Sequence, residues 1–404
     1  LQNSSGKVFY KNALLPASFS GTLGTVFYIG WRSVFMKINF NRAAFADALG
    51  LLTSIVPTRT PKPVLRCVQI TADENNVNIC ATDMEVGINY TICQVQVEQT
   101  GQVVIPADRL AAIVRESVVD EVLTMQTDDS TCHIKGVDSN FTIYGHEPDQ
   151  FPQVPLFDGE ADMQLNLRSL QDGIEQCLFA TARESTRYAL NGVLWEIRGK
   201  KLFLVATDGR RLAKTKVNLS AAASGKLAEE NIIVPAKTMA LLGKLEGGDK
   251  DTLEIKLVDN QILLNCSNIV ISSNLVDGNF PKYEDIIPKD YDKKLTIATD
   301  VALSAVRRSA LLTSEDSRGI KLNIDKNKLV FSCRAPETGD AQIDVPIDYK
   351  GKSIEIGFNP QFLIDVLKVL KATDFELQLG QPDRPGLIKS GKDFFYVLMP
   401  INLG

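Results

Sequence analysis

A chain of 404 residues exceeds what one hydrophobic core usually holds, so two to four domains are expected. Its 44% apolar and 23% charged residues are those of ordinary globular domains and point away from disorder and from a helical membrane protein, and a net charge of −5 gives no nucleic-acid signal by itself. The seven cysteines are odd in number, scattered and free of C-x-x-C pairs, which favours reduced, buried thiols in a cytosol-like compartment over a disulfide framework or a zinc site.

Residues 1 to 35 contain no acidic residue and are rich in Gly, Ser, Thr and aromatics. A secretory reading would take Lys7 and Lys11 as the charged region and Ala13 to Trp31 as the apolar one, but Ser, Gly and Thr interrupt that run and no small-residue cleavage site follows. The segment is read as a leader, a cloning artefact or a flexible extension, with the folded protein starting at Met36.

From Lys37, "KINFNRAAFADALGLLTSIV" predicts a short strand and then a helix over 41 to 55, with Phe45, Leu49, Leu52 and Val56 on one face. "VVIPADRLAAIVRES" from Val103 is a strand that stops at a proline and opens a helix over 107 to 117, with proline in the first helical turn. Short alternating strands follow, turning at Asp128-Asp129, and the Phe-Pro segment "FPQVPLFDGEAD" at 151 to 162 closes a first domain, 36–156.

The same order then recurs. "QLNLRSLQDGIEQCLFATAR" from Gln164 carries a helix over 168 to 182 with Leu170, Ile174, Cys177 and Thr181 in a stripe, and "IIVPAKTMALLGKLE" from Ile232 one over 236 to 244. Tight turns fall at Gly199-Lys200 and Asp259-Asn260, and "FPKYEDIIPKDYDKK" at 280 to 294 ends a second domain, 157–288. "KLTIATDVALSAVRRSALLT" from Lys294 (helix 299 to 312), a turn at Asp325 to Lys328 and "IEIGFNPQFLIDVLKVLK" from Ile354 (helix 360 to 371) make a third, 289–404. Pro106 and Pro235 are 129 residues apart and Ile38 and Leu165 are 127 apart, a period that means tandem domains rather than a solenoid. The fold class is α+β: three tandem copies of a two-helix, antiparallel-sheet domain.

Catalytic chemistry is scarce. The histidines, His133 and His146, sit in a strand and a loop without metal-ligand spacing, and neither a G-x-x-x-x-G-K-[ST] nor a G-x-G-x-x-G occurs, so no metal or cofactor is expected. Asp83 in "ICATDMEVGIN" and Asp208 in "VATDGRRLAKT" occupy matching repeat positions, where the third repeat has "CRAPETGDA". They are either carboxylates of a hydrolase or transferase or plain turn residues, and Asp-Gly between two strands favours the turn. The six helical segments together carry net positive charge in an acidic chain. Helices facing one way would form a mildly basic surface that holds phosphates without reading bases.

"TRYALNGVLWEI", "VATDGRRLA", "IIVPAK", "LVDGNFPKYEDIIP", "IEIGFN" and the terminal "YVLMPINL" together resemble the bacterial DNA polymerase III beta subunit, the sliding clamp, from Met36 to Leu403. The resemblance implies a head-to-tail homodimer, a ring of six similar domains with helices lining the hole, which encircles duplex DNA and tethers a polymerase without catalysis. The implied partners are double-stranded DNA, a second copy of the chain, the DNA polymerase III alpha subunit, the clamp loader and other proteins with clamp-binding peptides; the implied location is cytoplasmic, with no membrane. For DNA contact it points to Arg59 and Lys62 in a first-domain loop, to Arg109, Arg115, Lys237 and Lys244 after the I/V-P motifs, to Arg307, Arg308, Lys368 and Lys371 by charge and helix, and to Tyr188, one of a usual tyrosine pair whose second member is replaced by Ala189.

It further implies a partner-peptide groove between the second and third domains. By motif position the groove would use Arg187, Leu190, Thr207, Gly209, Arg210, Arg211, Leu212, Pro281, Ile286, Asn359, Phe362, Val397, Leu398, Met399 and Pro400. The sequence departs from the family pattern at Asp285, Ile401 and Asn402, which makes the expected rim more acidic. A rival reading, a monomeric protein-binding scaffold, keeps the groove and loses the ring.

Overall fold

The computed structural model describes residues 35–183, 188–313, 319–336 and 338–402. The segment read as a leader or extension therefore lies, but for Phe35, outside the described residues. Six helices appear where periodicity placed them: α1 (Arg42–Thr53), α2 (Ala107–Glu116), α3 (Leu167–Cys177), α4 (Ala236–Leu242), α5 (Thr299–Ser309) and α6 (Pro360–Val369). An asparagine carboxamide caps three of them: Asn41 accepts from the Ala44 N–H at 3.0 Å, Asn166 from Ser169 at 2.9 Å and Asn359 from Gln361 at 2.9 Å. Pro106 and Pro235 are themselves the N-cap residues, one position earlier than expected, and only Pro360 stands in a first helical turn. The expected stripes are buried at Phe45, Leu49 and Leu52 and at Leu170, Ile174 and Cys177, whereas Val56 and Thr181 lie past the helix ends.

Every strand pairing is antiparallel, and two eight-stranded sheets run through the joins between domains. In the first, strand Val86–Ile92 of domain one pairs with Ile269–Asn274, the last strand of domain two, with Ile88 opposite Ile271. In the second, Arg211–Asn218 of domain two pairs with Phe394–Leu398, the last strand of domain three, with Ala213 opposite Tyr396. All four of these paired residues belong to the main core against which the helices pack. Cross-strand partners point to one face, so the helix layer stays on one side of the sheet across both joins. A five-stranded sheet in domain one ends at Asn140–Tyr144, and a four-stranded sheet in domain three ends at Gly339–Pro346.

The four hairpins turn at the expected places, with Asp129, Gly199, Asp259 and Asn327 in the left-handed region. On the sheet face away from the helices, the two Phe-Pro segments form small satellite clusters. Phe151 and Val154 lie with Cys67 and Val104, and Phe280 and Tyr283 with Leu194 and Val205. All seven cysteines are free. Burial pushes the Cys80 and Cys132 thiols up to about 12, but Cys93 is exposed, against the expectation of uniformly buried thiols.

A candidate partner groove and the basic helix layer

The two aspartates in question build the same turn. Asp83 Oδ1 accepts from the backbone N–H groups of Glu85 (3.0 Å) and Val86 (2.8 Å), and Asp208 Oδ1 from those of Arg210 (2.9 Å) and Arg211 (3.0 Å). Thr82 and Thr207 close both turns with hydroxyls that bond Val86 O and Met84 N in one and Arg211 O and Gly209 N in the other. The residue after each aspartate takes positive φ, +80° at Met84 and +86° at Gly209. Each carboxylate is thus engaged by its own turn and one cation, and among the described residues no base stands beside it for the hydrolase reading to use.

Strand alternation splits the expected groove residues between two faces. Leu212 lies opposite Val397 across the join, both in the outer cluster with Tyr283. Arg211 and its partner Leu398 face the helices instead, and Leu398 belongs to the main core. The Arg211 side chain is 10% exposed. Its guanidinium reaches Asp208 at 3.0 Å, Asp365 of α6 at 2.7 Å and the Phe179 carbonyl at 2.6 Å, and lies 4.3 Å above the Phe362 ring. Arg211 therefore clasps two domains and stacks on Phe362, and both also line the cavity beside Arg210. Burial lowers its pKa, but the Tyr396 hydroxyl and the Asp365 and Asp208 carboxylates outweigh that and raise it.

The outward set is smaller than expected. Leu212 and Val397 form a buried floor, each 2% exposed; Ile286 and Met399 stand half out of it, each 37% exposed, with Pro281 half-buried nearby. Leu190 is buried, and Asn359 is occupied in capping α6. Gly209 and Arg210 are exposed on the turn, where Arg210 O accepts from the Met399 N–H at 3.0 Å. Arg210 also borders a cavity of about 400 Å³ on the helix side, lined by Arg183, Asp208, Arg211 and Phe362. Pro400, Ile401 and Asn402 border a different cavity of about 560 Å³, with Lys321, Glu355 and Asp383 of domain three. Asp285 is exposed, and Arg187 lies outside the described residues.

The sequence reading missed Asp365, Phe179, Tyr283 and Lys214. The Tyr283 hydroxyl accepts from Lys214 Nζ at 2.6 Å and donates to Glu196 at 2.8 Å, which fastens the second Phe-Pro segment to the sheet. Lys214 was legible as a lysine at an outward, apolar-flanked strand position, but no spacing rule names its partner.

Of the expected DNA contacts, Arg59, Lys62, Arg109, Arg115, Tyr188, Lys244, Arg307, Arg308 and Lys368 are exposed. Arg109 has a stretched 4.0 Å contact with Asp108, and Arg308 Nε donates to Ser304 O at 3.4 Å. Lys237 and Lys371 are instead engaged across the joins. Lys237 bonds Asp83 of domain one, and Lys371 meets Asp172 of α3 at 2.5 Å. Arg168, an exposed cation on α3 that the reading passed over, lies 3.7 Å from the same Asp172. Among the described residues no group of histidine, cysteine and acidic side chains is placed to hold a metal ion, and no helix is long and apolar enough to cross a membrane.

Three tandem two-helix domains, joined edge to edge into continuous sheets with every helix on one side, define a clamp-type repeat protein. Models of the N-terminal, central and C-terminal domains of the DNA polymerase III beta subunit match residues 36–155, 164–282 and 284–402. The chain belongs to the DNA polymerase III beta subunit family, the beta sliding clamps, which are processivity factors without catalysis. The beta sliding clamp of Pseudomonas putida is 30% identical over 373 residues, spanning 91% of this chain and 100% of that protein. That of Caulobacter vibrioides is 31% identical over 376 residues with the same coverage. Among solved structures, the Bacillus subtilis sliding clamp superposes with a TM-score of 0.86 at 25% identity, covering 91% of this chain and 99% of that one. The Pseudomonas aeruginosa clamp bound to griselimycin gives 0.84 at 28%, covering 91% and 100%.

Proposed function

We propose that two copies of the chain close head to tail into a ring that encircles duplex DNA and tethers the replicative polymerase in the cytoplasm, with domains at 36–156, 157–288 and 289–404. The observation that carries this reading is the pair of free strand edges. At both internal joins, the strand after the Asp turn pairs with the last strand of the next domain. The corresponding strands left over are Gly339–Pro346 in domain three and Asn140–Tyr144 in domain one, each at a sheet edge. Edges of that kind demand cover. Pairing them between two chains repeats the internal join a third time and closes a cycle.

The repeat also supplies the register. Ile271 and Tyr396 face Ile88 and Ala213, and the matching residues of the free strands are Phe141 and Ala341, both partly buried apolar side chains at the edge of the core. Asn140 would then face Gln342 on the outer surface. Exposed apolar residues flank both edges: Val137, 90% exposed, in the turn before Asn140, and Leu311, 78% exposed, in the helical turn that packs on Gly339–Pro346.

A single helix layer turned inward would present Arg59, Lys62, Arg109, Arg115, Lys244, Arg307, Arg308 and Lys368 to phosphates without base contact. Such contact is weak, salt-sensitive and compatible with sliding. The Leu212 and Val397 floor, rimmed by Pro281, Ile286 and Met399, suits an apolar anchor of a peptide from the polymerase alpha subunit, the clamp loader or other partners. Primer extension on a long single-stranded circle tests the assignment: with the cognate polymerase and loader, adding the chain should lengthen the products of single binding events, and unchanged product length would refute it.

A further inference from the structure

The rim of the groove is carried by a segment with little regular structure of its own. From Leu275 to Asp292 the chain makes one short helical turn, Tyr283–Ile286. On the side away from the join, a cavity of about 600 Å³ separates it from the sheet, bounded by Leu194, Ile232, Leu257, Phe280 and Asp285. The segment meets the outer sheet cluster through Val276, Phe280, Tyr283, Ile287 and Tyr291.

The most deeply buried of these is Tyr283, 5% exposed. Its hydroxyl is gripped by Lys214 and Glu196, and Arg198 bonds Glu196 at 2.6 Å and Glu284 at 2.9 Å. Lys214 is 8% exposed and its Nζ lies 4.7 Å from the centres of both the Phe203 and Tyr283 rings. It stands two residues from Leu212 on the same face of the strand, so the grip is made beside the floor. The first domain shows the contrast. Three residues after Phe151, as Tyr283 is after Phe280, Val154 packs against Gly87 so closely that a Cβ there would come within 2.7 Å of it. At that join the segment is seated by apolar contact; at the second, apolar contacts of Phe280 and Tyr283 are joined by buried hydrogen bonds.

On the groove reading above, we propose that the Tyr283 hydroxyl is a positioning group for partner binding: its bonds to Lys214 and Glu196 fix where Pro281 and Ile286 stand over the Leu212 and Val397 floor. A rim held in place needs no ordering when a peptide docks, and a released one does.

The test is fluorescence anisotropy of a fluorescein-labelled peptide carrying the clamp-binding segment of the cognate polymerase alpha subunit, titrated with the full chain. Tyr283→Phe and Glu196→Ala should each weaken binding about fivefold, whereas Glu196→Gln, which keeps an oxygen for the hydroxyl, should stay within about twofold of the parent. Dimer mass should be unchanged in Tyr283→Phe and Glu196→Gln, and both should melt well above the assay temperature. Met399→Asp, on the opposite wall, tests the groove itself. If Met399→Asp abolishes binding and Tyr283→Phe leaves it within about twofold, the positioning role is wrong and the groove stands. Equal losses in Glu196→Gln and Glu196→Ala also overturn the role, since the hydroxyl's acceptor is then irrelevant. If Met399→Asp binds like the parent, the groove reading fails instead.

Discussion

Leu212 and Val397 face each other across the join between domains two and three, and each is almost wholly buried. The floor on which a partner peptide would rest is thus the same pair of side chains that holds two domains together. Changing it disturbs both.

Groove occupancy is therefore better probed at the rim. Met399→Asp places a charge at a half-exposed position on the strand end, where solvation keeps its cost to the fold small. Peptide affinity should fall about tenfold or more with dimer mass unchanged, as read by anisotropy and light scattering. Leu212→Asp buries that charge at the join and should instead lower the unfolding midpoint.

Arg211 is the second lever. Removing it by Arg211→Ala leaves Asp208 and Asp365 facing each other in a poorly solvated place, and breaking a buried pair on one side costs about 3 kcal/mol. Urea unfolding should show the loss. Arg211→Lys should recover little of it, because one ammonium cannot serve two carboxylates and a carbonyl in the geometry of the guanidinium fork.

Asp83 gives the first join a pH dependence. Burial raises its pKa, but the Lys237 ammonium and the N–H groups of Val86 and Glu85 outweigh that and hold it below its ordinary 3.8. The stability it contributes is complete above the unfolded-state pKa and disappears as pH falls through the lower folded value. The difference in urea midpoint between the parent and Asp83→Asn should be clear at pH 7 and should shrink below pH 3.8.

The register inferred for ring closure can be locked. Asn140→Cys with Gln342→Cys, in a Cys93→Ser background, should oxidise to a species of twice 44.4 kDa on a non-reducing gel, because residues directly opposite in an antiparallel pair have Cβ atoms about 5 Å apart. Asn140→Cys alone should not.

Much of this fold was legible because it is written three times. The helix stripes at Phe45 and Leu170, the Pro starts and the hairpin dipeptides are local signals, and each marks its element to within a residue or a turn. The site was read less well, for a reason that strand geometry explains. Motif position treats Arg211 and Leu212 as neighbours with one task, yet alternation sends one to the helices and the other to the outer face. Charge reading could not name the partners of Lys237 and Lys371, because Asp83 and Asp172 are distant in sequence and adjacent only across a join. Tyr283 lay inside a quoted motif and Asp365 in an expected helix, but neither pattern names a partner; their roles follow from which faces meet.

The most direct measurement is retention on DNA of changed topology. Load labelled chain onto a nicked circle with its clamp loader, remove the loader, linearise half the sample with ends unblocked, and follow the label by gel filtration. Retention on the circle and rapid loss from the linear molecule are expected for a closed ring held by topology. Equal retention on both forms would mean that the chain grips DNA by contact, and the ring reading would be wrong.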